Sequence, residues 1–341
     1  MAKTKVDQVN AAAATTTPAV FISTSALNSL ITHKSLIGHL QSTLPSHSAI
    51  INSPLRHTHQ TSPTSSLLLM PSWSNSPSLP YMGVKLVTYF PNNTSVNLPG
   101  VHAIYVLFSS LTGLPLVSMD ATGLTLFRTA CVSALASYYL SRDSAETLVM
   151  IGAGSLAQHL IRAHLIIRPS LKRVVVWNRT LEKARILVDE LTKEGDRFQG
   201  VCFESNVCLE EAVKLGDVIS CATNSEAPLV KGLDLKAGAH LDLVGSFTRS
   251  MRECDDEALR RGRIYIDNEA AVMEAGELVF ALERGVIKKD EIVGDLVELI
   301  RGEKYGRKDS NEITVFKSVG SAVVDLLSAQ LVYESCMNDQ D

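Results

Sequence analysis

The stretch Thr147–Gln158, TLVMIGAGSLAQ, constrains the fold more than any other part of the chain. An apolar run ends in glycines, and helical spacing follows at once, with Leu160, Ile161 and Leu165 on one face. Further strand-like runs follow at 174–178 (VVVWN), 201–205, 218–223, 241–246 and 264–267, separated by helical patterns such as LEKARILVDELTKEG. Strands alternating with helices of this length predict βαβ units and a parallel sheet.

The glycines have specific work to do. The fingerprint is Gly152-x-Gly154-x-x-Ala157. The first glycine permits a tight turn, the second lets backbone approach a pyrophosphate, and the small third residue packs helix on strand. The following helix aims backbone N–H groups and its positive dipole end at the phosphates. Residues 152–157 (Gly152, Ala153, Gly154, Ser155, Leu156 and Ala157) are therefore the expected dinucleotide cradle. The second strand ends on Asn178, Arg179 and Thr180, where an acid would receive the ribose hydroxyl of NAD. Arginine instead matches a 2′-phosphate through charge-assisted hydrogen bonds, with Asn178 and Thr180 as neutral donors. The expected cofactor is NADPH, with NADH possible. An ordinary surface arginine at a strand end is the plainer alternative.

The 341-residue chain is long enough for two domains. Between about 50 and 120 the runs LLLM, VKLVTYF, AIYVLF and LPLVSM read as antiparallel strands, preceded by a helical pattern over 25–43. Residues 123–141 read as a helix rich in small side chains, and 315–337 as a returning helix. The predicted organisation is a disordered extension (1–18), a substrate-binding and dimerisation domain (19–143 plus 313–341), and a Rossmann NADP-binding domain (144–312). The fold class is thus α/β, a Rossmann domain inserted in a mixed α+β domain. Net charge is −4, without a Lys/Arg cluster, so no nucleic-acid or membrane partner is expected. No apolar run approaches the roughly 18–20 residues that span a bilayer. The six cysteines match neither zinc pairs nor a CxxC site, and His57 and His59 lack a third ligand, so no metal is expected.

Several motifs occur together: LLLMP (67–71), GVKLVTYFP (83–91), MDATGLTLFRTA (119–130), HLDLVGS (240–246), EAGEL (274–278) and FKSVGSAVVD (316–325). With IGAGSLA and VWNRT, they make the chain resemble the ornithine cyclodeaminase/μ-crystallin family over nearly its whole length after residue 18, and within it the plant ketimine reductases. The resemblance implies a homodimer and a small-molecule imino acid as ligand. It also implies that Arg56, Lys85 and Arg128 bind the substrate carboxylate. The residues themselves fit that role, since Lys85 lies in a strand otherwise apolar and Arg128 in a helix otherwise small and apolar. Buried charges need partners, which a bound carboxylate or a protein acid would supply. Thr88 and Ser246 are candidate hydrogen-bonding groups near the imine. Further cofactor contacts are expected at Ala222, Thr223, Val244 and Gly245, and at Ser318 and Val319, taken as the start of the last helix.

Cyclodeaminases of the family carry an acid just before Leu-Met-Pro and an aspartate after the glycine of HLDLVGS. Here these positions hold Leu68 and Ser246. Neither moves protons well at neutral pH. The resemblance then implies NAD(P)H-dependent reduction of a cyclic ketimine acid, Δ1-piperideine-2-carboxylate to pipecolate and also Δ1-pyrroline-2-carboxylate to proline. In plant relatives this serves lysine catabolism and systemic acquired resistance, in plastids, with the cytoplasm as the alternative location. Ornithine cyclodeamination, alanine dehydrogenation and a non-catalytic ligand-binding role remain open. Glu274 and Glu277 have no job assignable from sequence, and Asp120 stands either at a helix start or at the edge of the site.

Overall fold

The alternation after residue 145 becomes an eight-stranded, all-parallel sheet in the computed structural model, which describes residues 20–96 and 98–339. The expected disordered extension at 1–18 lies outside the described residues. Edge to edge the strands run Cys202–Ser205, Arg173–Trp177, Thr147–Ile151, Val218–Cys221, His240–Leu243, Ile313–Lys317, Gly262–Ile266 and Ile292–Asp295. The inner strands are runs of Val, Ile and Leu buried on both faces, as a sheet covered by helices on each side requires. The chain leaves Thr147–Ile151 toward one edge and resumes on its other side at Val218–Cys221, which opens a crevice above their C-terminal ends.

Two expectations are corrected here. Ile313–Lys317 is a strand inside the parallel sheet, paired with His240–Leu243 and Gly262–Ile266. The first unit therefore does not resume at 313, and the last helix is Ala322–Asn338 rather than 315–337. The strand Ile292–Asp295 has no counterpart in the sequence reading.

The other sheet has seven strands. Val20–Ile22 lies parallel to Pro115–Asp120, and antiparallel neighbours follow in the order Val101–Ser109, Tyr81–Tyr89 and Ser65–Ser74. Ile51–Asn52 and His57–Ser62 both pair with Ser65–Ser74. Lys85 stands opposite Met70 on one side and Tyr105 on the other, so these three share one face.

The helix Ala121–Leu140 joins the two halves. Asp120 caps it, accepting from Thr122 and Gly123 N–H, which settles that residue as a helix start. Small side chains let the helix sit almost wholly buried. Its last carbonyls would be orphans without donors. Arg168 donates to the carbonyls of Ser137 and Tyr138, and Arg307 and Thr314 donate to that of Leu140. Midway, Ser133 donates to the buried carboxylate of Asp242 in the parallel sheet at 2.9 Å. Among the described residues no helix is long and apolar enough to cross a membrane.

Candidate active site

The cradle follows from local geometry. Gly152 has φ of +107°, and a Cβ there would stand 2.5 Å from the carbonyl oxygen of Ala222. Only glycine lets the two strand ends approach so closely. At Gly154, the N-cap of helix Ser155–Ile167, an added Cβ would meet nothing within 4 Å, and no side chain caps the helix. Gly154 and Ser155 are exposed at this uncapped helix start, the arrangement an anion fills. Ala157 is fully buried against the sheet.

Asn178 is not the free donor expected of it. Its Oδ1 accepts from Ala153 N–H at 3.2 Å and its Nδ2 donates to the Thr180 carbonyl, tying the second strand to the cradle. Arg179 and Thr180 are exposed beside it. Among the described residues Arg179 makes no hydrogen bond or ion pair, so its guanidinium is available.

Across the crevice, Ala222–Thr223 and Val244–Gly245 end neighbouring strands and are held by one buried carboxylate. Glu253 accepts from Thr223 N–H at 2.7 Å, from the Thr223 hydroxyl at 3.0 Å and from Gly245 N–H at 2.7 Å. Burial pushes Glu253 up to about 7, Lys317 opposing and Glu277 adding to the rise. Lys317 and Glu277, both fully buried, pair at 2.9 Å. Ser246 belongs to this network: its buried hydroxyl shares its one proton between Glu277 and the Met251 carbonyl. That commitment turns it inward, so it is withdrawn as an imine-binding group.

The loop from Ser318 to Gly320 precedes the last helix, whose N-cap is Ser321. Ser318 and Val319 thus lie in a strand-to-helix loop, not at the helix start. Asp267 fixes this loop, accepting from the Ser318 hydroxyl and from Val319 and Gly320 N–H.

Against the loop stand the three basic residues. Arg56 Nη2 donates to the Val319 carbonyl at 3.1 Å and pairs with Glu274 at 2.9 Å. Lys85 Nζ lies 2.7 Å from Asp325 Oδ2, and Arg128 Nε lies 3.0 Å from Asp325 Oδ1. The Arg128 guanidinium also abuts Gly320, where φ is +87° and a Cβ would come within 2.8 Å of Nη1. Burial draws Lys85 down to about 8, partly offset by Asp325. Burial would raise Asp325, but Lys85, Arg128 and Arg56 outweigh it and hold the carboxyl below its ordinary value.

The cations thus gather in one place, each of them against protein acid. Thr88 is not among them. It pairs in register with Leu67 and His102, on the opposite face of the sheet from Lys85, and its hydroxyl donates to the His102 carbonyl. Leu68 does share the Lys85 face, two positions from Met70, so an apolar group occupies the place of the cyclodeaminase acid. Glu274 and Glu277 gain roles as partners of Arg56 and Lys317. The sequence reading missed Asp325, Glu253, Lys317 and Asp267. For Asp325 and Lys317 the signal was present, since each is a lone charge in an apolar run, AVVDLL and ITVFK.

The sequence pattern of the ornithine cyclodeaminase/mu-crystallin family matches residues 19–340. The chain belongs to that family. It is 56% identical over 319 residues to the Arabidopsis thaliana protein SAR DEFICIENT 4, covering 94% of this chain and 98% of the relative. It superposes on Thermococcus litoralis Δ1-pyrroline-2-carboxylate reductase in complex with NADH and L-proline. The TM-score is 0.89 at 30% identity, over 94% of this chain and 98% of the other. It also superposes on an archaeal alanine dehydrogenase dimer with bound NAD, with TM-score 0.86 at 26% identity over 95% and 97% of the two chains.

Proposed function

We propose that the chain is an oxidoreductase that reduces the C=N bond of a cyclic ketimine carboxylate with a reduced nicotinamide dinucleotide. The observation that carries this is the convergence of Lys85, Arg128 and Arg56 against the loop 318–320, which leaves the parallel sheet beside the cofactor crevice. The similarity to a pyrroline-2-carboxylate reductase bound to NADH and L-proline supports it.

The crevice fits a dinucleotide: Gly152 and Gly154 clear the backbone, and uncapped N–H groups await an anion. Residues 152–157 would hold the pyrophosphate, Arg179 a 2′-phosphate, and the strand ends 222–223 and 244–245 the nicotinamide half. The bound cofactor supplies the hydride. The chain's own side chains bind and orient. Arg56, Lys85 and Arg128 take the carboxylate, which fixes the adjacent ring carbon against the crevice. Orientation of this kind can supply ~7–11 kcal/mol of barrier reduction. Thr88 and Ser246 both point elsewhere, so the ring nitrogen takes its proton from solvent.

We assign Δ1-piperideine-2-carboxylate as substrate, giving pipecolate, with the five-membered analogue also accepted. One methylene in a pocket is worth only roughly 1–3 kcal/mol. The likeness to SAR DEFICIENT 4 supports placing it in plant pipecolate formation and systemic acquired resistance. The dimeric alanine dehydrogenase supports assembly as a homodimer. Loss of reduced-nicotinamide absorbance with each cyclic imine tests the activity. Turnover of ornithine or alanine with NAD⁺, and of neither ketimine, would sink the assignment.

Cofactor choice has its own test. Arg179→Ala is expected to raise KM for NADPH by about 10–100-fold while barely changing that for NADH, since a charged hydrogen bond is worth about 1.5–3 kcal/mol. An unchanged ratio of the two would remove Arg179 from the 2′-site.

A further inference from the structure

We propose that Asp325 is a positioning residue of the carboxylate clamp, keeping Lys85 cationic inside the sheet and so setting the pH range over which the clamp takes a carboxylate. This rests on the clamp proposed above.

Asp325 is fully buried in the first turn of helix Ala322–Asn338. Its two oxygens lie against the two cations, Oδ2 against Lys85 and Oδ1 against Arg128. Among the described residues neither oxygen takes a hydrogen bond from backbone N–H or from a hydroxyl. A carboxylate buried to cap a helix or tie a loop would have such donors, as Asp120 and Asp267 do. Asp325 is held by the two cations, and its role lies with the charges it faces.

For Lys85 those charges are few. Met70 and Tyr105 flank it in register, and the buried Tyr105 phenol is held neutral by burial. Arg128 and Arg56 act on Lys85 as like charges, and among the described residues Asp325 is the one anion that acts on it directly. Glu274 is engaged with Arg56, and Asp267 lies beneath the loop 318–320, facing Arg128. Without Asp325, a lysine buried among cations would shed its proton. The clamp would then lose a charge at the pH where it has to bind.

The test is binding rather than turnover. The probe is pyrrole-2-carboxylate, a planar ring acid whose own charge is constant through the neutral range, added to the protein saturated with NADP⁺. Calorimetry follows affinity and proton uptake from about pH 6 to pH 9.5. The wild type is expected to bind with constant affinity up to about pH 8, then to lose about tenfold per pH unit, taking up a proton on binding in that upper range. Asp325→Asn, nearly the same shape, is expected to shift the fall-off down by about two pH units. It would bind about tenfold more weakly at about pH 7 and come within about twofold of the wild type at about pH 6. NADP⁺ affinity reports folding and should be unchanged. Weakening by one factor at every pH would mean a structural role and overturn the proposal. If the variant does not fold, wild-type binding without proton uptake across the upper range overturns it as well. Absence of probe binding at every pH overturns the clamp, and this proposal with it. Binding with an unmoved profile overturns this proposal alone.

Discussion

Replacing Lys85 by alanine is expected to lower kcat/KM for a cyclic ketimine acid by about 100–1000-fold, with NADPH affinity within about twofold of wild type. Lys85 is 2% exposed and meets Asp325 at 2.7 Å. The substitution removes one charge from the incoming carboxylate, a loss of about 1.5–3 kcal/mol. It also leaves Arg128 neutralised by Asp325, so the pair no longer offers the substrate carboxylate a net positive charge. Both effects act at the clamp, and neither touches the cradle at residues 152–157. Steady-state kinetics with a dinucleotide titration separates them. A rise in NADPH Kd parallel to the loss of activity would show general damage. Activity within tenfold of wild type would mean that Lys85 does not hold the substrate.

Lys317→Met is expected to destabilise the fold by about 3–5 kcal/mol near neutral pH, the usual result of removing one partner of a buried ion pair. Glu277 then loses its partner at 2.9 Å, and Glu253 loses the cation that opposes its rise. The pH dependence carries a sign that can be checked. Glu253 titrates near 7 in the folded protein and at the ordinary glutamate value of about 4.5 once unfolded. As pH falls below about 7, the folded state binds a proton that the unfolded state does not, so folding is relatively favoured. Without Lys317 the Glu253 carboxyl takes its proton at a higher pH still, so the deficit of the variant is largest well above pH 7 and shrinks as pH falls to about 7, below which both folded proteins carry the proton. Denaturant unfolding at several pH values measures it. Adding Glu277→Leu should recover part of the loss, since the pair is coupled. A deficit independent of pH would mean that lost packing, not charge, is responsible.

The parts that could be read in advance depend on neighbours in the chain. The cradle is one of them: Gly152 and Gly154 announce their backbone demands at fixed spacing from an apolar strand. The long small-residue helix is another, because its boundaries follow from its own composition and its Asp120 cap. Ile313–Lys317 was not legible in the same way. ITVF is a continuous apolar run with no period to tell strand from buried helix, and its place in the sheet is fixed by partners distant in sequence. Thr88 was a different failure. It is three residues from Lys85 in one strand, and strand alternation alone puts it on the other face. Ser246 could not be judged without Glu277, which approaches from a separate helix. Asp325 was visible as a lone acid in an apolar helix, but nothing local says that it reaches both Lys85 and Arg128.

The helix Ala121–Leu140 carries Arg128 near its start, while arginines from the other half grip its end. It works as a strut that sets the gap between the two reactants, and a helix of this kind bends far more readily than it changes length. Accommodating a larger or smaller ring by sliding the halves apart would drag the guanidinium off its anchor at Asp325. Preference for ring size in this protein is therefore open to change only through side chains bordering the gap, with the span itself left as it is.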